Sequence, residues 1–287
     1  MTATSSALPS RPSLAGLLPE VFRRQRALAT LGLIFAVLLV PAIIAIGMDA
    51  RTLDGAEVWL KPAKFLASLS LYAFTLAWMF GFVDPAARRG RVAWAVVTVV
   101  WVTAATEIIY IAWQASKAER SHFNVADAFH IAMYSLMGIG AVLLVGASLG
   151  MAWLIARRPK EGLRAPMRDA LVIGLVFTFL LGGGLGGYMA SGTGHWVGAA
   201  AAGPGLPLFG WSTTGGDLRP PHFFGIHAQQ LLPLAALFIP GRGTASRLAV
   251  WVLAAVYAAF TLAVFAQAVS GQPLISADLL RTLGVRP

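Results

Sequence analysis

Apolar residues fill seven long blocks of this chain, 28–47, 60–82, 92–115, 126–156, 170–190, 222–240 and 248–270, with short polar stretches between them. A helix rises about 1.5 Å per residue, so about 20 apolar residues cross the hydrocarbon core of a bilayer. The pattern predicts an all-α bundle of seven transmembrane helices. The fourth block is long enough to tilt. The sixth is the shortest and carries Pro233, which predicts a kink. The flanks read as an N-terminal tail, 1–27, and a C-terminal tail, 271–287. No long soluble domain intervenes.

Composition agrees with the pattern. Only 12% of the residues are charged, against about 25% in a soluble domain, and mean hydropathy is +0.72. The Pro- and Ser-rich N-terminus lacks the early apolar core of a signal peptide. With no cysteine, disulfides, thiolate nucleophiles and Cys-held metal or iron–sulfur centres are excluded.

Charge sets the expected orientation. With the N-terminus inside, 14 of the 22 basic residues but only 4 of the 12 acidic ones fall on the inner side. That bias is the positive-inside pattern and predicts a cytoplasmic N-terminus and an outside C-terminus. The pI of about 10.8 then reports topology and contact with anionic lipid, and nucleic acid is not expected as a partner.

In that orientation the unusual polar residues converge on the outer end. Glu107, Tyr110 and Gln114 are spaced i, i+3, i+7, one stripe of the third helix. Glu107 lies roughly 12 Å below the end of that helix. Asp127, His130 and Tyr134 repeat the spacing on the fourth. His122 lies in the loop between them, and His195, Asp217 and Arg219 lie in the long loop before the sixth helix. His227 and Gln230 share a face of that helix, which predicts His227 within about 10 Å of Glu107 and His130 in an outward-opening cavity. His222, five residues earlier, is expected to turn toward the loop with His195 and Asp217. Ionisable groups inside a membrane need partners and often mark function.

Lys61 and Lys64 stand one turn apart at the start of the second helix. Snorkelling accounts for them, and so does an anion or headgroup contact, or a counter-ion for Glu107. Gly182, Gly184 and Gly187 match a nucleotide-loop spacing but lie in an apolar helix, where close helix packing is the better reading. The seventh helix has no lysine to form a retinal Schiff base.

The blocks "KPAKF", "QASKAERSHFN" and "GDLRPPHFFGIHAQQLLP" resemble segments of a group of seven-helix bacterial membrane proteins. The resemblance covers most of the chain. It implies an architecture in a bacterial inner membrane and nothing about chemistry.

Three chemistries suit the outer residues. A metal-dependent enzyme acting on a lipid or amphipathic substrate would use zinc or iron held by His122, His195, His222, His227 and Glu107, with Glu107, Asp217 and Arg219 as catalytic groups. A haem b carrier would use His130 and His227 as axial ligands, Lys64 or Arg219 for propionates, Gln230 in the cofactor pocket and quinone as partner. A transporter would bind a cation or polar solute at Glu107, Asp127 and the glutamines, with Pro233 as hinge.

Overall fold

The computed structural model describes residues 14–198, 205, 206, 209–282 and 284. The protein is all-α. After a short helix α1 (Leu14–Arg24) come α2 (Arg26–Met48), α3 (Leu60–Met79, prolonged by a 3₁₀ turn to Phe82), α4 (Arg91–Ser116) and α5 (Ala128–Arg157). Next, α6 (Ala165–Phe177) passes through a π-helical stretch, Thr178–Gly183, into α7 (Gly184–Ala190). The chain closes with α8 (Arg219–Ala236), α9 (Thr244–Val269) and α10 (Ala277–Thr282).

Among the described residues, six helical segments are long and apolar enough to cross a membrane: α2, α3, α4, α5, the α6–α7 unit and α9. The sequence pattern predicts a seventh at 222–240. The helix found there is α8, 18 residues long and too polar to qualify by composition, since it carries Arg219, two histidines and two glutamines. It packs against α6, the π stretch and α9. α8 also starts earlier than the apolar block. Pro220 and Pro221 occupy its first turn, where no backbone N–H needs an intrahelical acceptor. The helix continues past Pro233 to Ala236.

Side-chain caps start two of the other helices. Gln25 caps α2 by accepting from the Ala27 N–H at 3.0 Å. Asp127 caps α5 by accepting from the His130 N–H at 2.9 Å. The core is one large cluster of Leu, Ala, Met, Phe, Val and Ile from α2, α3, α4, α5, α6, α8 and α9. Large apolar side chains such as Val37, Ile43, Leu136, Val142, Leu234 and Val256 stay exposed on the outer faces of the helices. Inside the 1–27 tail, α1 docks on α2 and α3, and Arg24 donates to the Trp78 carbonyl at 2.8 Å.

Small residues let α6 and α8 approach closely. A Cβ on Gly174 would stand 2.8 Å from the Ala228 carbonyl oxygen, and one on Gly182 would stand 2.8 Å from the Ile226 nitrogen. Of the three glycines expected to pack helices, only Gly182 does so, because Gly184 and Gly187 face open space. Gly225 makes the tightest contact, with its added Cβ 2.5 Å from the Gly182 nitrogen and 2.7 Å from its Cα. Backbone cannot yield as a side chain can. Gly225→Ala is therefore expected to cost about 1–3 kcal/mol by overpacking. Gly184→Ala, with nothing within 4 Å, should not lower the thermal unfolding temperature in detergent.

Two ends of the bundle are defined by contacts between connections. At one end, Asp84 N–H donates to the Arg158 carbonyl, Arg164 donates to the Ile239 carbonyl, and Arg247 pairs with Asp169. At the other, Arg51 donates to the Ser116 carbonyl, Arg120 pairs with Asp54, and a two-stranded pairing sets Trp196 opposite Asp217. The Ala277 N–H donates to the Thr213 carbonyl at that same end.

Candidate functional site

All five histidines lie at the second end, His122 and His195 in connections, His130 in the first turn of α5, and His222 and His227 in the first half of α8. They do not share one centre. Two polar clusters form instead, joined through the first turns of α3.

The first cluster is centred on His122. Its Nε2 lies 3.4 Å from Glu107 Oε1 on α4, and its Nδ1 lies 3.0 Å from Lys61 Nζ on α3. The Ser121 hydroxyl is 3.2 Å from the same Nδ1. An ammonium can only donate, so Lys61 makes Nδ1 the acceptor and leaves the ring proton on Nε2, facing Glu107. Burial holds the His122 pKa below its ordinary 6.5; the Glu107 contact opposes that shift, and the Lys61 charge adds to it. His122 is thus neutral at pH 7. Glu107 is 8% exposed, and its stripe partners Tyr110 and Gln114 are also buried, as their spacing predicts. Gln114 donates to the Arg120 carbonyl at 3.0 Å, which shapes the loop carrying His122.

The second cluster is centred on Asp217, 2% exposed. Its carboxylate accepts from the backbone N–H of Ser212 (2.9 Å) and of Arg219 (3.0 Å). It also receives the Arg219 guanidinium, at 2.9 Å from Nε and 2.5 Å from a terminal nitrogen. Burial raises the Asp217 pKa, but the bonds and charge of Arg219 with the two N–H groups outweigh it, and the net value is lowered. Arg219 further donates to the Gly210 carbonyl at 2.6 Å and lies 5.9 Å from the Trp196 ring. Lys64 donates to the neighbouring Phe209 carbonyl at 2.9 Å. His195 lies against Trp196, with centroids 3.7 Å apart. Burial first, then the Arg219 charge, lowers its pKa to about 4. The loop is fixed to α8 by an aromatic ladder in which Phe209 stacks on Trp211 and both meet Phe223.

The remaining histidines sit elsewhere. His222 does not turn toward the loop. Its Nδ1 lies 2.8 Å from the Gly182 carbonyl in the π stretch, and Gly186 leaves room for the ring. His227 meets Phe223 and Gln230, while Gln230 donates to Thr75 on α3 at 3.2 Å. The His227–Gln230 face thus looks toward α3 and is not joined to Glu107 or His130 by these contacts. His130 lies 2.8 Å from Asp127 and 3.5 Å from Glu119, too poorly aligned for hydrogen bonds.

The donor sets read from the sequence were tested against this geometry. Among the described residues, no three His, Asp or Glu side chains are arranged to hold one metal ion. His122 has both ring nitrogens engaged, and His222 has one committed to a carbonyl. For haem, His130 and His227 belong to separate contact sets, and Lys64 bonds a loop carbonyl. Among the described residues, no contact gathers either donor set at one centre. The contacts that sequence spacing does not reveal are the Lys61–His122 pair and the Lys64 and Arg219 bonds to the 209–210 backbone, because these join distant segments. No family model, curated protein or solved structure matches the chain.

Proposed function

We propose that the chain is a seven-span protein of a bacterial cytoplasmic membrane, with its N-terminus inside, its C-terminus outside and α8 as the sixth span. The charge bias supports the orientation. The polar groups of α8 are compatible with a span because several meet protein: Arg219 is bonded to Asp217, His222 to Gly182 and Gln230 to Thr75. A reporter active only in the cytoplasm should give signal when fused at Gly162 and none at Gly271. The reverse result would invert the orientation and place both clusters inside.

We infer that the outer-end clusters form the site of an enzyme acting by acid–base chemistry on a lipid or other amphipathic molecule. One observation carries this reading: a neutral imidazole, His122, is held between a buried carboxylate and an ammonium. In this arrangement Nδ1 is the basic atom. When Lys61 is drawn away, Nδ1 takes a proton from a water whose oxygen attacks a lipid ester carbonyl and returns it to the departing alcohol oxygen, and Glu107 stabilises the imidazolium formed in between. No step is routed through a metal or haem. Mass spectrometry of lipids in nanodiscs tests the reading: the wild type should alter a lipid component, and His122→Ala should not.

The π stretch supports a second reading. It interrupts the α6–α7 unit beside the proline-bearing α8, and broken helices at a binding site are a transporter feature. Flux of an anionic solute into proteoliposomes without chemical change would favour it.

A further inference from the structure

Lys61 and Lys64 stand one turn apart at the start of α3, and both are half-buried. Among the described residues, neither has a carboxylate at ion-pair distance. Lys61 meets the imidazole of His122, and Lys64 meets a backbone carbonyl. Of the nearby carboxylates, Asp217 is paired with Arg219 and Asp54 with Arg120, while Glu107 lies across the neutral His122 from Lys61 and balances part of its charge. Glu57 lies nearby but is exposed. Two ammoniums on one helix face repel each other, and burial strengthens that repulsion. The Arg219–Asp217 pair stands beside Lys64, since the guanidinium bonds the Gly210 carbonyl next to the carbonyl that Lys64 bonds, and it adds no net charge there. Lys64 is thus left without a carboxylate partner, and Lys61 has one only through an imidazole.

We propose that Lys61 and Lys64 bind the phosphate or carboxylate headgroup of an amphiphile. Both lie in the first turns of a helix able to cross a membrane, the level at which headgroups reside. The exposed Phe209 borders the Lys64 side. The lysines engage a headgroup as point charges. An anion there competes with His122 Nδ1 for Lys61, so binding would expose the base. That consequence rests on the acid–base reading above, while the binding itself does not.

Isothermal titration calorimetry on the full-length protein in detergent tests the proposal with dioctanoyl phosphatidic acid, dioctanoyl phosphatidylcholine and inorganic phosphate. Phosphatidic acid should bind at least about tenfold more tightly than phosphatidylcholine. Lys61→Gln and Lys64→Gln should each weaken it about tenfold, as expected for the loss of one charged hydrogen bond. Lys117→Gln, which removes a cation paired with Glu119 at the same end, should leave binding unchanged. Thermal unfolding of each variant separates lost binding from lost fold. If inorganic phosphate binds as tightly as phosphatidic acid, the anion site stands and the headgroup assignment falls. If phosphatidic acid binds no more tightly than phosphatidylcholine, or folded Lys61→Gln and Lys64→Gln bind it as the wild type does, the proposal is overturned. Tight, lysine-dependent binding without turnover would support the anion site and count against the acid–base reading alone.

Discussion

Asp217→Ala lowers the unfolding free energy by about 3–5 kcal/mol, the cost of breaking a buried ion pair from one side. The carboxylate satisfies the Arg219 guanidinium and two backbone N–H groups, and its side chain is 1% exposed. Its removal leaves all three donors without that acceptor. The loop from Trp211 to Leu218 then loses its charged anchor to α8 and keeps the aromatic ladder and its backbone bonds, such as that from the Ala277 N–H to the Thr213 carbonyl. Chemical unfolding in detergent, with Asp217→Asn alongside, measures the loss; Asn keeps the shape but not the charge and should fall between wild type and Ala.

Asp217 and His195 act on stability in separate pH windows, and the lowered pKa of His122 adds to the window of His195. The lowered pKa of Asp217 means that its contribution is present above the unfolded value near 3.9 and is lost as pH falls through the folded value. It therefore adds no slope between pH 7 and 5. His195 behaves differently. Its folded pKa is about 4, against about 6.5 unfolded, so the unfolded chain binds more protons between those values. Stability falls as pH drops from 6.5 toward 4 and levels off below. His195→Gln should flatten that slope.

If the proposed acid–base reading holds, Glu107→Gln should lower turnover by about 10²–10⁴-fold, the range for a lost acid–base contribution. Glutamine keeps the volume but cannot balance an imidazolium on His122, whose Nε2 faces the carboxylate at 3.4 Å. Because His122 is neutral at pH 7 before reaction, the ground state loses less than the charged state does. The melting temperature should move by no more than a few degrees. A purely structural Glu107 would give the opposite pattern, with a large fall in melting temperature and turnover proportional to the folded fraction. Nanodisc assays and thermal unfolding on the same sample separate the two.

The helices were legible because hydropathy and length dictate them. The blocks 28–47, 92–115 and 248–270 became Arg26–Met48, Arg91–Ser116 and Thr244–Val269. α1 and α10 gave no such signal, being short and outside the apolar blocks. The gathering of histidines at one end was legible too, since it needs only chain direction and depth. Azimuth was not. The facing of His222 and His227 depends on how α8 rotates against its neighbours. The Gly182–Gly225 approach and the π stretch set that rotation, and both join segments more than 40 positions apart. The i, i+3 spacing of Lys61 and Lys64 marked the right turn of α3, yet the partners of both lysines come from distant loops.

The most direct test of the central claim is lipid turnover by the purified wild type in nanodiscs of phosphatidylethanolamine, phosphatidylglycerol and phosphatidic acid, followed by mass spectrometry. An anionic lipid should change mass with time, and Glu107→Gln and His122→Ala should slow the change by at least about 10²-fold while remaining folded. An unchanged lipid profile in the wild type, or equal turnover in the folded Glu107→Gln variant, would contradict it.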